Sequence, residues 1–299
     1  MPDDMVYQLP THVDRDIRHS FTGGAADVYI TKNHNNETLY CYDVNALYPS
    51  SMLNNPMPVG KGKAFQGDIT KIKPDAFGFF YCNIKSPEYL EHPILQRNIK
   101  TVKGLRTIAG LGSWTGWYFS EEIYNAIKYG YKFEILHGYE YDKANIFSGY
   151  INEMYNLRLN YPKGDPMNDS AKLLNNSLYG KFGMKNEITK IEILDTTNEN
   201  NINKINKILD KLNTNIQDII NLDNYIVIIH NKFIPNDNNK DLFLDDSPIY
   251  QMNTNIAIAS AITAYARIFM SQFKIILSII YIIQILIQLL LILNYLLNL

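Results

Sequence analysis

Cysteine is scarce in this chain: Cys41 and Cys82 are the two in 299 residues. Two thiols cannot build a disulfide framework or a cysteine-rich zinc site, and a reducing compartment is the plain inference. The six histidines (His12, His19, His34, His92, His137 and His230) lack ligand-like spacing. The opening MPDDMVYQLPTHVDRD has neither an apolar h-region nor an Arg/Ser-rich amphipathic pattern, so no secretory signal or ordinary transit peptide is expected. Long basic runs are also missing. Residues 1–185 hold 20 Lys+Arg against 19 Asp+Glu, and residues 186–299 hold 8 against 11. A bulk electrostatic grip on a polyanion is not evident, so any such binding has to come from local geometry. What is present is a globular balance: 46% hydrophobic, 19% charged and 12% aromatic, with 22 tyrosines. Wholesale disorder, collagen and coiled-coil fibre are excluded. The length allows one large domain or two ordinary ones around a real core.

The patterning is that of an α+β protein. Residues 1–38 are polar and loop-like around Phe21-Thr22-Gly23-Gly24. Residues 39–47 (LYCYDVNAL) read as a buried strand ended by Pro49, with Cys41 buried in it. Residues 77–84 and 131–141 read as strands. The Gly- and Trp-rich 104–118 reads as tight turns beside strand pieces, with Trp114 and Trp117 in core or turn packing. Ser120, followed by Glu121 and Glu122, reads as a helix N-cap, and Gly130 as that helix's stop. Two further helices follow. Over 145–160, Ile146, Tyr150, Met154, Leu157 and Tyr161 step at helical spacing to Pro162. Over 168–181, Ala171, Leu174, Leu178 and Phe182 share one face, and Lys172, Asn176 and Tyr179 share another. The short loop between the two helices predicts antiparallel packing. Farther on, Ile202, Ile205, Leu209, Leu212, Ile216 and Ile219 step by three and four, predicting a helix. A strand at 225–230, an acidic loop at 236–246 and a small-residue-rich helix over 253–270 complete the pass.

Two stretches carry chemistry. In Asp43-Val44-Asn45-Ala46-Leu47-Tyr48-Pro49-Ser50, an aspartate ends an apolar strand, where a rigid element can fix a metal ligand. In Lys172-x-x-x-Asn176-Ser177-x-Tyr179-Gly180, a cation, an amide and a phenol on one helix face can meet a triphosphate, a sugar and a base. Read alone, the first is as well a turn cap and the second a solvated helix face, and those plainer readings prevail.

Read together, they resemble the family B DNA polymerases, in the protein-primed branch of phage, viral and mitochondrial linear-plasmid enzymes. DVNALYPS is similar to motif A (Dx2SLYPS), with Asn45-Ala46 in place of x-Ser. KLLNNSLYG matches motif B (Kx3NSxYG) at every fixed position, and SFTGG resembles the YxGG motif, with Phe21 where Tyr is usual. GSWTGWYFSEE and ITAYARI resemble spacer segments of the plasmid enzymes, so the likeness spans roughly 16–274.

The resemblance implies DNA-directed nucleotidyl transfer from a dNTP to a primer 3′-hydroxyl or a priming protein's hydroxyl, with two Mg²⁺ ions clamping the attacking and leaving oxygens. Asp43 would be the catalytic carboxylate and a metal ligand, with the Val44 carbonyl as a further ligand. Val44, Leu47, Tyr48, Lys172, Asn176 and Tyr179 would bind the nucleotide, Tyr48 excluding a 2′-hydroxyl and Lys172 neutralising the triphosphate. Gly23, Gly24, Ser177 and Gly180 would face DNA. The implied fold is a partial palm, an antiparallel sheet with packed helices, plus a two-helix fingers element and two insertions. Its parts are a template-proximal linker (1–38), the palm with motif A (39–55), palm and a first insertion resembling the terminal-protein region (56–142), fingers with motif B (143–185), a second insertion (186–247), a palm helix (248–274) and an apolar tail (275–299). Implied partners are template-primer DNA, dNTP and a terminal priming protein, in a mitochondrion, where an organelle-encoded gene needs no targeting signal.

Three departures from the pattern are expected to matter. There is no room before residue 20 for a 3′–5′ exonuclease domain, no thumb, and no YxDTDS, the motif C that supplies the second carboxylate. Losing such a term costs at least ~10²–10³ in rate. Asp241, Asp245 and Asp246 precede the 253–270 helix, so their order is wrong for a substitute. Motif C's slot holds the uncharged run from Ile275 onward. Permitted codons for Ile282-Ile283-Gln284-Ile285-Leu286-Ile287-Gln288, read from the third base, spell Tyr-Ser-Asp-Thr-Asp-Ser, so 275–299 reads as an out-of-frame translation. The competing readings are a tail-anchored membrane protein, for which the run is long enough, and a non-catalytic DNA- or nucleotide-binding remnant.

Overall fold

The stretch FGFFYCNI is apolar apart from Asn83, and it forms a strand with buried side chains on both faces, Asn83 alone among these eight residues lying exposed. The computed structural model describes residues 6–25, 43–102, 104–184, 187–210, 214–233 and 254–276. The chain divides into two units, one of Met1–Gly183 with Asn255–Leu299 and the other of Met184–Thr254.

The first unit opens with α1 (Thr11–Arg18), α2 (Leu47–Asn54), β1 (Met57–Gln66) and β2 (Gly78–Lys85). A hairpin of β3 (Gln96–Thr101) and β4 (Gly104–Ala109) precedes β5 (Ser113–Phe119), α3 (Ser120–Lys128) and β6 (Lys132–Ala144). Then come α4 (Ser148–Leu159) and α5 (Pro166–Gly183) and, after the second unit, α7 (Ile256–Ile276). The main sheet is antiparallel in the order β1-β6-β2-β5. Alternation along β2 sends Phe79 into one core, with Phe77, Phe119 and Tyr141, and sends Phe80, Cys82 and Ile84 into a second core, with Leu95, Ile123 and Ile135. Each such side chain contributes about 1.5–3 kcal/mol by leaving water. Burial pushes the Cys82 thiol up to about 12, with Asp68 adding to the shift, so this cysteine packs as an unreactive apolar group.

Helix α7 runs through the first core and is buried from Ile256 to Arg267. Asn255 caps it, its Oδ1 accepting from the Ala257 and Ile258 amides at 3.0 and 3.2 Å. Over Ile256–Lys274 it is, among the described residues, the one helix long and apolar enough to cross a bilayer, but 72% of its apolar window is buried in the unit. It is a core helix.

The second unit is a three-stranded antiparallel sheet, β7 (Glu187–Asp195), β9 (Tyr225–Phe233) and β8 (Thr214–Leu222), with α6 (Glu199–Leu209) supplying Ile208 to a small core around Leu194 and Ile228.

Four local expectations are corrected. Residues 43–46 form a turn and α2 begins at Leu47, so Pro49 sits in a helical first turn, where its missing N–H costs nothing. Residues 39–42, Cys41 included, lie outside the described residues, as do 236–246 and 277–299. The helix expected through Ile219 stops at Leu209, and Ile216 and Ile219 lie in β8; a run of β-branched isoleucines satisfies either period, and strand pairing decided. On α5 the buried stripe is Asn168, Ala171, Asn175 and Phe182, while Leu174 is half exposed, because residues four apart lie more nearly over one another than residues three apart. Ser120 is the first helical residue rather than the N-cap, and its Oγ accepts from the Gly78 amide at 3.1 Å.

Candidate functional site

The turn before α2 is held by Ala46 in the left-handed region (φ 52, ψ 50), a conformation an L-residue adopts at a cost of about 1–2 kcal/mol. That turn leaves Asp43 exposed and Val44 and Leu47 half-buried, and it drives Tyr48 inward. Tyr48 is 5% exposed, and its ring lies 4.2 Å from that of Tyr179, tilted by 31°. Burial, reinforced by Tyr48, pushes the Tyr179 phenol up to about 12, so it stays protonated at neutral pH. The two motif stretches, over a hundred residues apart in the chain, therefore meet through their tyrosines.

Helix α5 carries the second stretch. Its last turn is anchored where Phe182 meets Phe147 at the start of α4, ring centroids 5.6 Å apart, which makes the helix pair antiparallel as expected. Asn176 is half-buried, and Lys172, Ser177 and Gly180 are exposed. Lys172 lies two turns before Tyr179, about 10 Å along the axis on the same face. A Cβ built on Gly180 would touch nothing within 4 Å, so packing within the fold does not require glycine there. Ser177 Oγ donates to the Leu174 carbonyl at 3.5 Å.

The Thr22-Gly23 loop is tied down by residues that the spacing of the motifs did not single out. Arg267, on α7, donates from Nε and Nη2 to the two carboxylate oxygens of Glu122 on α3, at 2.7 and 2.9 Å. Its Nη1 donates to the carbonyls of Thr22 and Gly23, at 2.7 and 3.1 Å. Both ion-pair side chains are at least nine-tenths buried. Burial works against the Arg267 charge, but Glu122 more than offsets it and the pKa is raised. Phe21 packs where a Cβ on Gly183 would approach its ring to 3.2 Å, and Arg18 Nη1 donates to the Gly183 carbonyl at 3.1 Å. The glycine loop, the end of α5, α3 and α7 thus form one knot. The signal was present in the sequence: an arginine in the small-residue run ITAYARI needs a buried partner.

The two metal donors expected from the sequence, the Asp43 carboxylate and the Val44 carbonyl, lie in the turn before α2, and among the described residues no three His, Cys, Asp or Glu side chains cluster. Two hard cations need more oxygen ligands than that. The described donor set does not make a complete two-ion site.

An antiparallel palm-like sheet, a long core helix, an antiparallel helix pair and two motif tyrosines in contact define a polymerase-type architecture. Residues 2–277 match the family described as DNA polymerase type B, organellar and viral. The chain is 36% identical over 262 residues to a probable DNA polymerase of Ascobolus immersus, covering 87% of this chain and 20% of that protein. It is 36% identical over 278 residues to one from Neurospora intermedia, covering 91% and 26%. A solved structure of Phi29 DNA polymerase, complexed with primer-template DNA and incoming nucleotide substrates, shares the fold with a TM-score of 0.55 at 18% identity, covering 90% of this chain and 42% of that one. This chain belongs to the organellar and viral type B DNA polymerases. It spans about a fifth to a quarter of the length of the curated relatives it matches.

Proposed function

We propose that this chain is the palm-and-fingers portion of a DNA-directed DNA polymerase, where template-primer and dNTP meet. The observation that carries the reading is the Tyr48–Tyr179 contact, which joins motif A to motif B at one place and aligns the Lys172 face of α5 with it. Lys172 would hold the triphosphate as a point charge. Asn176 and Tyr179 would line the nascent base pair, and Tyr48 would reject a 2′-hydroxyl. Because Tyr48 is 5% exposed, a sugar reaches its ring only when the side chains over it move aside. The open space beside Gly180 and the exposed Gly23 suit close approach of DNA. Divalent-metal dependence goes with the family; Mg²⁺ is the finer proposal, with Asp43 and Val44 as ligands, supplying charge neutralisation at the transferring phosphate.

The priming-protein partner, the plasmid-type protein-primed mechanism and the mitochondrial location remain part of this proposal. So do the boundaries at 56–142, 143–185 and 186–247, and the out-of-frame origin of 275–299. A nucleotide sequence with no shifted frame encoding DTDS in that stretch would remove the last of these.

The test is binding and extension side by side. Wild-type chain should bind dNTP with Mg²⁺, and Lys172→Ala should weaken that binding about tenfold, the worth of one charge-assisted contact. Extension of a primed template by the chain as written should be negligible for want of the second carboxylate. Robust extension abolished by Asp43→Asn would show that another carboxylate serves. Unchanged dNTP affinity in Lys172→Ala would overturn the site assignment.

A further inference from the structure

Away from the tyrosine contact, the first unit holds a cavity of about 480 Å³ between the Thr22 loop, the face of the main sheet and the β3–β4 hairpin. That volume lies within the roughly 300–1,000 Å³ of small-ligand pockets. Its walls are aromatic. Tyr81, Trp117 and His137 stand with ring centroids 5.0–5.5 Å apart, and the Arg97 guanidinium lies 4.8 Å over the Trp114 ring. The carboxylates at its edge are already engaged: Asp16 accepts from the Tyr139 hydroxyl at 2.8 Å, and Glu122 is paired with Arg267. Two polar atoms just beneath the wall are not: among the described residues, the Oε1 of Gln96, itself 7% exposed, and the Arg97 Nε have no hydrogen-bond partner. Left unpaired, each group costs free energy, and a ligand relieves that cost once the side chain turns into the cavity.

The hairpin adds charge. Between Gln96 and Ala109 the sequence has Arg97, Lys100, Lys103 and Arg106 and no acidic residue. A local basic ribbon therefore leads to an aromatic-walled cavity, in a chain whose overall charge gives no polyanion signal.

We propose that this cavity binds a single unstacked nucleobase of a single-stranded nucleic acid whose phosphates run along the β3–β4 hairpin. A base has two flat faces for the rings and an edge carrying both donors and acceptors for Gln96 and Arg97. An aromatic peptide side chain such as Phe would leave both polar atoms unmet and gain nothing from the basic ribbon. The proposal deepens the polymerase reading and rests on it, adding a holding point for a strand outside the Tyr48–Tyr179 region.

The test uses the full chain and two labelled 12-nucleotide DNA single strands, one of mixed sequence and one abasic throughout, compared by fluorescence anisotropy at low salt. The base-bearing strand should bind about tenfold more tightly, at the lower end of what stacking one base on an aromatic side chain contributes. Trp117→Ala should remove most of that preference while leaving abasic-strand affinity in place. Thr115→Trp, at an exposed position on the cavity wall, should do the same by filling the space without touching the core. Equal affinity for the two strands, no binding of either, or a preference surviving both substitutions would overturn the proposal, as would displacement of the base-bearing strand by a Phe-containing peptide. Lys172→Ala and dNTP are assayed in parallel. If the strand preference is missing while dNTP binding still depends on Lys172, the cavity proposal fails alone; if both are missing, the polymerase reading fails with it.

Discussion

Helices α5 and α7 are of similar length, yet the fold uses them in opposite ways. Helix α7 is buried over its first three turns and contributes Ile, Ala, Ser and Thr to the core, with its one arginine there neutralised by Glu122. Helix α5 buries only Asn168, Ala171, Asn175 and Phe182, and leaves even Leu173 and Leu174 half exposed. A helix that is covered all round defines the fold, whereas one held along a single stripe keeps a polar face for ligands. On α7 a charge is structural because it has no access to water. On α5, Lys172 has solvent on it and is available for a phosphate.

Substitutions can break or sharpen that contrast. The largest effect should come from Glu122→Ala, which strands the Arg267 guanidinium in the core and releases its hold on the Thr22-Gly23 loop. A loss of about 3–5 kcal/mol is expected in urea unfolding, whereas Lys172→Ala should stay within about 0.5 kcal/mol. Similar losses in both would abolish the distinction. Overfilling α7 comes next: Ala261→Leu, at a position with no exposure, should cost about 1–3 kcal/mol. On α5 the sign should reverse. Gly180→Ala has room for its methyl group and should stabilise the fold by about 0.5–1 kcal/mol, while weakening template-primer binding in a mobility-shift assay. Stabilisation with unchanged DNA affinity would mean that no ligand comes close there.

The last effect is one of pH, and it vanishes at neutrality. Tyr179 has its folded pKa raised from 10.0 to about 12, so below pH 10 it is protonated in both states and contributes no pH dependence. Above pH 10 the unfolded chain loses the proton first, the native state holds more protons, and stability falls until pH reaches about 12. Tyr179→Phe should make the decline of the urea midpoint between pH 10 and 12 shallower; an identical slope would show that the Tyr48–Tyr179 contact is loose in solution.

Where information was local, the sequence alone determined the outcome. The strands at 77–84 and 131–141, the antiparallel helix pair around Pro162, the small-residue helix after 253 and the family itself could all be read from period, turn chemistry and motif. Where neighbours competed, tertiary structure decided. Pro49 ends a strand or opens a helix with equal local logic, and the isoleucines from 202 to 219 fit either period until β9 pairs with β8. Leu174 lost its place in the stripe to Asn175 once α4 and α7 had fixed the rotation of α5. The Arg267–Glu122 pair joins positions far apart in the chain, as does the aromatic cavity beside Gln96. Local pattern records what a residue prefers; which distant group removes its water is settled only when the elements pack, and for a buried charge that partner accounts for most of the energy.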